Sequence, residues 1–314
     1  EHFYMVTEPI PGLKRNLPVA LVPDEYAYYK EDAGKILMGC FEPVAKPWGH
    51  KGIPENFCFD SLPEDLDHFE PVLEAATRRV PLLKNAGIQL FFNGPESFTP
   101  DDRYLLGETP EVQGLFCICG FNSVGILSSG GAGRLLASWI KDGRSPMDVA
   151  DVDIRRMQPF QSTKQYLFDR TKETLGLLFQ MHWPSRQYDT ARGARRSPFH
   201  DRLLAAGAIM TEGAGHERPG LFRRKGVTEP LDFSYERPSW FSAVGEECRH
   251  TAAGVSLFDQ SCFAKFTVEG RDACKVLGQI SAGDVDVEAG RIVYTQWLNE
   301  RGGIEADVTI TRLA

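Results

Sequence analysis

Four places in the sequence put chemically capable residues where they could act. The first is Gly120, Phe121, Asn122, Ser123, Val124, Gly125 and Ile126, inside "LFCICGFNSVGILSSGGAGRLLASWIKDG" (115–143). An apolar run stops at a glycine, a short polar turn follows, and a glycine-dotted helix begins. The N–H groups of a first helical turn lack intrahelical partners and carry partial positive charge. Such a turn suits an anionic or carbonyl edge of a ligand; an ordinary strand–helix junction with close glycine packing has the same signature. The second is His2, whose side-chain type changes charge near neutral pH. The third is Tyr28, adjacent to Tyr29 on an alternating stretch, so the two rings point to opposite faces, one able to line a pocket. By residue type alone, a surface histidine and a core tyrosine are the plainer readings of His2 and Tyr28. The fourth is Asp307, in "GGIEADVTI" just after a Gly-Gly turn. A carboxylate there can accept a proton or anchor a nitrogen heterocycle, and a solvent-facing strand acid fits the same pattern.

Other patterns carry less. "SPFHDRL" (197–203) and "GHERPGLF" (215–222) combine His, Arg and an acid without metal-ligand spacing, and read as ion pairs at a domain interface. No metal site is expected. "GGAGRL" (130–135) falls within a helix and is no dinucleotide fingerprint, and there is no phosphate-binding P-loop. A net charge of −8 argues against nucleic acid as a main partner. With 42% hydrophobic and 25% charged residues the chain reads as globular. Its seven cysteines form no CxxC pair and suit a reducing compartment; Cys117 and Cys119 read as small core side chains on one face of a strand. No run reaches the roughly 20 apolar residues that span a bilayer, so membrane insertion is not expected, and no secretory signal is read. The sequence opens as a strand in progress without a starting Met and stops in mid-strand, so a fragment of a longer polypeptide is expected.

The elements that must position these residues are legible in outline. "HFYMVT" alternates as a strand, and "YAYYKEDAGKILMGCF" reads as a hairpin around an Asp/Gly turn cluster. Leu66, Phe69, Val72, Leu73, Ala76 and Val80 recur at helical spacing, with Ser61 as the cap and Glu64 after it. "GIQLFFNGPESFTPD" returns as strand and turn. Leu115–Cys119 is continuously apolar, as for a strand buried on both faces. The helix after it stops at Lys141, Gly143 and Pro146. Gly130, Gly131 and Gly133 cost it about 1 kcal/mol each, which implies close contact with a neighbour or ligand. "RTKETLGLLFQMHWP" reads as an amphipathic helix ended by Pro184. Helices follow at "FSAVGEECRHTAAGV" and near "RDACKVLGQI", and a hairpin turns around Asn299–Gly303.

In order along the chain, "EHFYMVTEPIPGL", "YYKEDAGKILMGCFE", "ESFTPDDRYLLGE" and "GFNSVGILSSGGAGRLLASWIKDGRSPMDVADVDIRRM" resemble the later half of an amine-oxidising flavoprotein unit. "HWPSRQYDTARGARRSPFHDRLLAAGA" and "HERPGLF" resemble a central linking domain. "GVSLFDQSCFAKFTVEG" and "YTQWLNERGGIEADVTITRL" resemble the opening of a folate-binding domain similar to glycine-cleavage T protein. The set resembles the dimethylglycine dehydrogenase, dimethylglycine oxidase and sarcosine dehydrogenase family. That resemblance implies an α+β fold: the antiparallel-sheet substrate domain of a D-amino-acid-oxidase-like flavoprotein over 1–105, the last strand and helix of its FAD-binding domain over 106–145, a central linking domain over 146–240 and the start of a T-protein-like folate domain over 241–314.

It implies FAD and tetrahydrofolate as cofactors and a small N-methyl amine as substrate, dimethylglycine or sarcosine in type. The amine passes a hydride equivalent to FAD, and the one-carbon unit goes to tetrahydrofolate. The electron acceptor is oxygen or an electron-transfer flavoprotein. By resemblance His2 and Tyr28 occupy the active-site positions, the Gly120–Ile126 turn meets the flavin pyrimidine, Asp307 contacts the pterin, and Tyr294 and Leu298 line its pocket. The family's amino-terminal Rossmann strand and most of its folate domain do not appear in this sequence, so neither site is expected to be complete within it. The implied setting is the bacterial cytoplasm or the mitochondrial matrix. The family also includes a non-catalytic member, the regulatory subunit of pyruvate dehydrogenase phosphatase, so a regulatory or scaffold relative is the second reading.

Overall fold

The computed structural model describes residues 1–224, 227 and 231–313. The stretch 225–230 within the expected central domain, Val227 apart, and position 314 in the expected folate domain lie outside the described residues. The chain divides into two units, one running to Cys262 and one from Phe263 onward.

The first unit opens with an antiparallel sheet. Its strands are β1 (His2–Thr7), β2 (Ala20–Val22), β3 (Ala27–Asp32), β4 (Lys35–Cys40) and, after helix α1 (Leu66–Arg79), β5 (Ile88–Gly94), in the order β2-β3-β4-β1-β5. The β3–β4 hairpin turns tightly through Ala33 (φ 51°) and Gly34 (φ 86°), the backbone that a two-residue hairpin requires. Alternation sets the faces. Phe3, Met5, Tyr29, Ile36, Met38 and Phe91 pack with Phe69, Val72 and Ala76 of α1 into one core. His2, Tyr4, Tyr28, Gly39 and Phe92 alternate with these core positions, so the opposite face carries the candidate site.

The cap of α1 differs from the expectation. Asp65, not Ser61, accepts from the backbone N–H of His68 at 3.1 Å. Residues 61–64 stay outside the helix, where the N–H of Leu62 donates to the carbonyl of Asn93 at 2.7 Å and ties this stretch to β5.

Next come β6 (Leu105–Glu108), β7 (Phe116–Cys119) and α2 (Gly125–Asp142), which ends on Gly143 in the left-handed region (φ 71°). Leu106, Ala132, Leu136 and Trp139 form their core. The strand over 116–119 is not buried on both faces as its composition suggested. Among the described residues β7 pairs with β6 alone, and Ile118 and Cys119 are exposed and Cys117 half-buried. Gly130, Gly131 and Gly133 have open space where a Cβ would stand, so no described neighbour explains them.

Helix α3 (Lys164–Phe179) starts six residues before the stretch read as helical and stops before Pro184, because Gln180 already turns to extended backbone. A three-stranded sheet follows: β8 (Arg195–Arg196), then α4 (His200–Ala205), β9 (Ala208–Gly213) and β10 (His216–Phe222), in the order β8-β10-β9. The His/Arg/acid segments are ion pairs here. Glu217 takes Arg192 at 2.7 Å and His200 at 3.8 Å, and the fully buried Arg170 meets Glu212 at 2.9 Å over the ring of Tyr188. Helix α5 (Phe241–Ala253) packs through Ala243 on Ile209 and Leu221.

The second unit contains α6 (Ala273–Ile280) and the antiparallel hairpin of β11 (Ile292–Leu298) and β12 (Ile304–Thr311). Thr295, 2% exposed, ties the hairpin down by accepting from the N–H of Gly283 at 2.8 Å.

Candidate active site

His2 sits at the start of β1, opposite Gly94 of β5. Its imidazole lies 4.9 Å from the ring of Phe41 and is buried rather than on the surface, with 13% of the side chain exposed. Tyr28 reaches the same phenylalanine from β3, with ring centres 5.5 Å apart. Its ring crosses Gly39 on the neighbouring strand, where a Cβ would stand 2.1 Å from the hydroxyl. Phe41 is stacked from beyond by Phe179 of α3 at 3.6 Å. Gly176 makes that approach possible, since a Cβ there would lie 2.6 Å from the carbonyl oxygen of Glu42 and 2.7 Å from Cα of Pro43. Residues from β1, β3 and α3 thus converge on Phe41, just past the end of β4.

Two carboxylates attend this group. Glu96 Oε2 is 3.6 Å from His2 Nδ1. Glu42, buried, is 3.2 Å from His68 Nε2 and 3.5 Å from Cys40 Sγ. Burial lowers the pKa of His2, and the negative charges of Glu96 and Glu42 oppose the shift. Burial also pushes the Tyr28 phenol well up, helped by Cys40 and Glu96, so it stays protonated at neutral pH. The two rings that flank Phe41 therefore offer a phenolic donor and an imidazole that burial and the two carboxylates pull in opposite directions.

The 120–126 turn is built on left-handed backbone at Gly120 (φ 68°), Asn122 (φ 51°) and Ser123 (φ 66°). Asn122 is fully buried. Its Oδ1 accepts from the N–H of Thr99 at 2.7 Å, and its Nδ2 donates to the carbonyl of Gly120 at 2.9 Å. Its own N–H donates to the carbonyl of Ser97 at 3.3 Å. Phe121 turns inward and stacks on Tyr104 at 4.8 Å. The side chains of Phe121 and Asn122 therefore shape the turn rather than present themselves to a ligand. Val124, at the head of α2, provides no side-chain cap, and Ile126 is 99% exposed. First-turn amides without a capping side chain, next to a strained turn, fit the electron-rich pyrimidine edge of a flavin.

One short loop joins the two clusters. Glu96 faces His2, while Ser97 and Thr99 hold Asn122. His2, Tyr28 and the turn are thus connected through residues 96–99. A cavity of about 970 Å³ lies elsewhere in the first unit, lined by Met181, Trp183, Arg186, Arg192, His200 and Leu204. Glu42, Phe41, Glu96, Gly176 and Phe179 were not singled out from the sequence. Only Glu96 had a local signal, a carboxylate in the NGPES turn directly after a strand.

Asp307, Tyr294 and Leu298 lie on the hairpin of the second unit. The Tyr294 hydroxyl donates to Asp307 Oδ2 at 2.7 Å. That hydrogen bond, and then the charge of Asp307, raise the phenol's pKa. Leu298 lies past the bulge that follows Trp297, opposite Ile304. Asp307 and Tyr294 are both exposed, so this half of the candidate chemistry stands on an open face.

Comparison with known proteins matches three family models in sequence along the chain. They are the FAD dependent oxidoreductase over 1–139, the FAD dependent oxidoreductase central domain over 142–197 and the GCVT N-terminal domain over 199–314. The whole chain is 44% identical to a 4-methylaminobutanoate oxidase (formaldehyde-forming) of Paenarthrobacter nicotinovorans, covering 38% of that protein. It is 37% identical to the mitochondrial pyruvate dehydrogenase phosphatase regulatory subunit of Mus musculus and 33% to the mouse mitochondrial sarcosine dehydrogenase, covering 36% of each. The chain belongs to the family in which an FAD-dependent amine oxidoreductase unit is fused to a T-protein-like domain. It spans a little over a third of the length of these curated relatives.

Proposed function

We propose that this chain contributes the amine site of an FAD-dependent enzyme that oxidatively demethylates an N-methyl amino acid and passes the one-carbon unit to tetrahydrofolate. The observation that carries the reading is the convergence of His2 and Tyr28 on Phe41, tied by the 96–99 loop to the uncapped turn before α2. Bound FAD would supply the two-electron acceptor. The chain's own residues do the rest. The first-turn amides of α2, from Gly125 onward, would hold the pyrimidine edge, Phe41 and Phe179 would keep water from the amine, and Tyr28 and His2 would orient the substrate by hydrogen bonds. The hydride equivalent of the N-methyl C–H bond would pass to the bound flavin, leaving the substrate as an iminium. Asp307 and Tyr294 then serve the folate step, with Asp307 as the carboxylate facing the pterin and Leu298 lining its pocket.

Dimethylglycine and sarcosine are the substrates of first choice. The likeness to a 4-methylaminobutanoate oxidase adds a longer N-methyl amino acid to the set. The test is anaerobic titration of the full-length, flavin-loaded protein with dimethylglycine, sarcosine and 4-methylaminobutanoate. Bleaching of the flavin band by one of them is the expected result. The similarity to a phosphatase regulatory subunit supports a second, non-catalytic reading. A colourless protein, or a flavin that none of the three bleaches, would favour it.

A further inference from the structure

The 94–99 loop carries more than connection. Gly94 is paired to His2 across the β1–β5 ladder. Three residues on, the Ser97 carbonyl accepts from Asn122, and Thr99 is held by the Asn122 side chain and by the carbonyl of Arg103. Glu96 is pinned between these anchors, with Pro95 fixing the backbone before it. Its carboxylate lies at ion-pair distance, 3.6 Å, from an imidazole nitrogen that is buried and has no hydrogen-bond partner. Glu42, the other carboxylate near His2, is already engaged by His68 and Cys40. Glu96 is thus the acid left to serve His2.

We propose that Glu96 is a positioning residue for His2, its carboxylate keeping the proton on Nδ1 and leaving Nε2 as the nitrogen free to exchange one. This rests on the reading of His2 as part of the amine site. A carboxylate in place on one ring nitrogen selects the tautomer and favours the charged ring. The other groups facing His2 do not substitute for it. Glu42 acts from the end of β4 in the same direction but is held by His68 and Cys40, and Tyr28 lies across Phe41. Because the loop also holds Asn122, the charge on His2 and the shape of the flavin-facing turn share one support.

The test is a pH titration of ring-15N-labelled histidine in the full-length, flavin-loaded protein. The chain has seven histidines, and the His2 signal is assigned by its loss in His2→Asn. Removing an opposite charge this close lowers a histidine midpoint by about one pH unit or more. Glu96→Gln should therefore move the His2 midpoint down by about one unit and weaken the Nδ1-protonated signature, and Glu96→Asp should restore most of the shift. A His2 midpoint unchanged in Glu96→Gln, with the wild-type tautomer, overturns the proposal. Failure of the functional reading looks different: a flavin that no amine bleaches, with His2 still answering to Glu96.

Discussion

The two candidate sites of this chain differ in how they are enclosed. His2 and Tyr28 stand on the covered side of a five-stranded sheet, with aromatic rings from α3 and the end of β4 over them, and burial is the first cause of the shift in both side chains. Tyr294 and Asp307 stand on the open face of a two-stranded hairpin, and the shift in Tyr294 comes first from its hydrogen bond to Asp307. In the first region desolvation sets the chemistry and a neighbour corrects it; in the second, one neighbour sets it. Substitutions should therefore act through packing and rate in the first region and through a single contact in the second.

The largest effect is expected at Tyr28. Tyr28→Phe keeps the ring that packs on Phe41 and Gly39 and removes only the hydroxyl. Loss of a positioned proton-bearing group typically costs on the order of 10²-fold or more, so stopped-flow reduction of the flavin by the preferred amine should slow by about that factor. The flavin spectrum of the resting protein should be unchanged. Unaltered reduction kinetics would remove Tyr28 from the amine site and leave the covered face without its distinguishing donor.

What was legible in the sequence divides along the same line. Local signals were readable: the Ala33–Gly34 turn, the stop at Gly143, the alternation of β1, the Asn299–Gly303 hairpin. The start of α1 was misread because Ser61 and Asp65 both qualify as caps by residue type, and only the tie from Leu62 to Asn93 decides between them. The strand at 116–119 was misread because apolar content speaks of burial, whereas burial of a strand's faces depends on layers packed over them, which among the described residues leave Ile118 and Cys119 exposed. In the candidate site, His2, Tyr28 and the 120–126 turn could be named in advance. Phe41, Glu96, Gly176 and Phe179 could not, because they meet only through the packing of α3 on the sheet and share no spacing.

A middle-sized effect tests the packing side of the comparison. Gly176→Val puts a side chain against the backbone of Glu42 and Pro43, where nothing flexible can yield. Overpacking of this kind costs about 2 kcal/mol, and thermal unfolding followed by circular dichroism should show it. Gly278 of α6, in the second unit, has open space at its Cβ. Gly278→Ala should instead gain up to about 1 kcal/mol of helix propensity. Equal responses at the two glycines would mean that the first unit is no more tightly enclosed than the second.

The smallest effect on stability, and the most specific, is expected at Asp307. The raised pKa of Tyr294 means that the folded state favours the neutral phenol. Its contribution is fully present below the ordinary tyrosine value and is lost as the pH rises through the higher folded value. Asp307→Asn removes the negative charge, so the Tyr294 midpoint should fall toward the ordinary value, read as phenolate absorbance in a difference titration against Tyr294→Phe. Stability at neutral pH should barely change, because the pair is exposed and the phenol is neutral there in both folded and unfolded chains. Flavin reduction by the amine should also be untouched, while capture of the one-carbon unit by tetrahydrofolate falls. A loss of amine oxidation in Asp307→Asn would show that the hairpin and the covered sheet do not divide the chemistry between them.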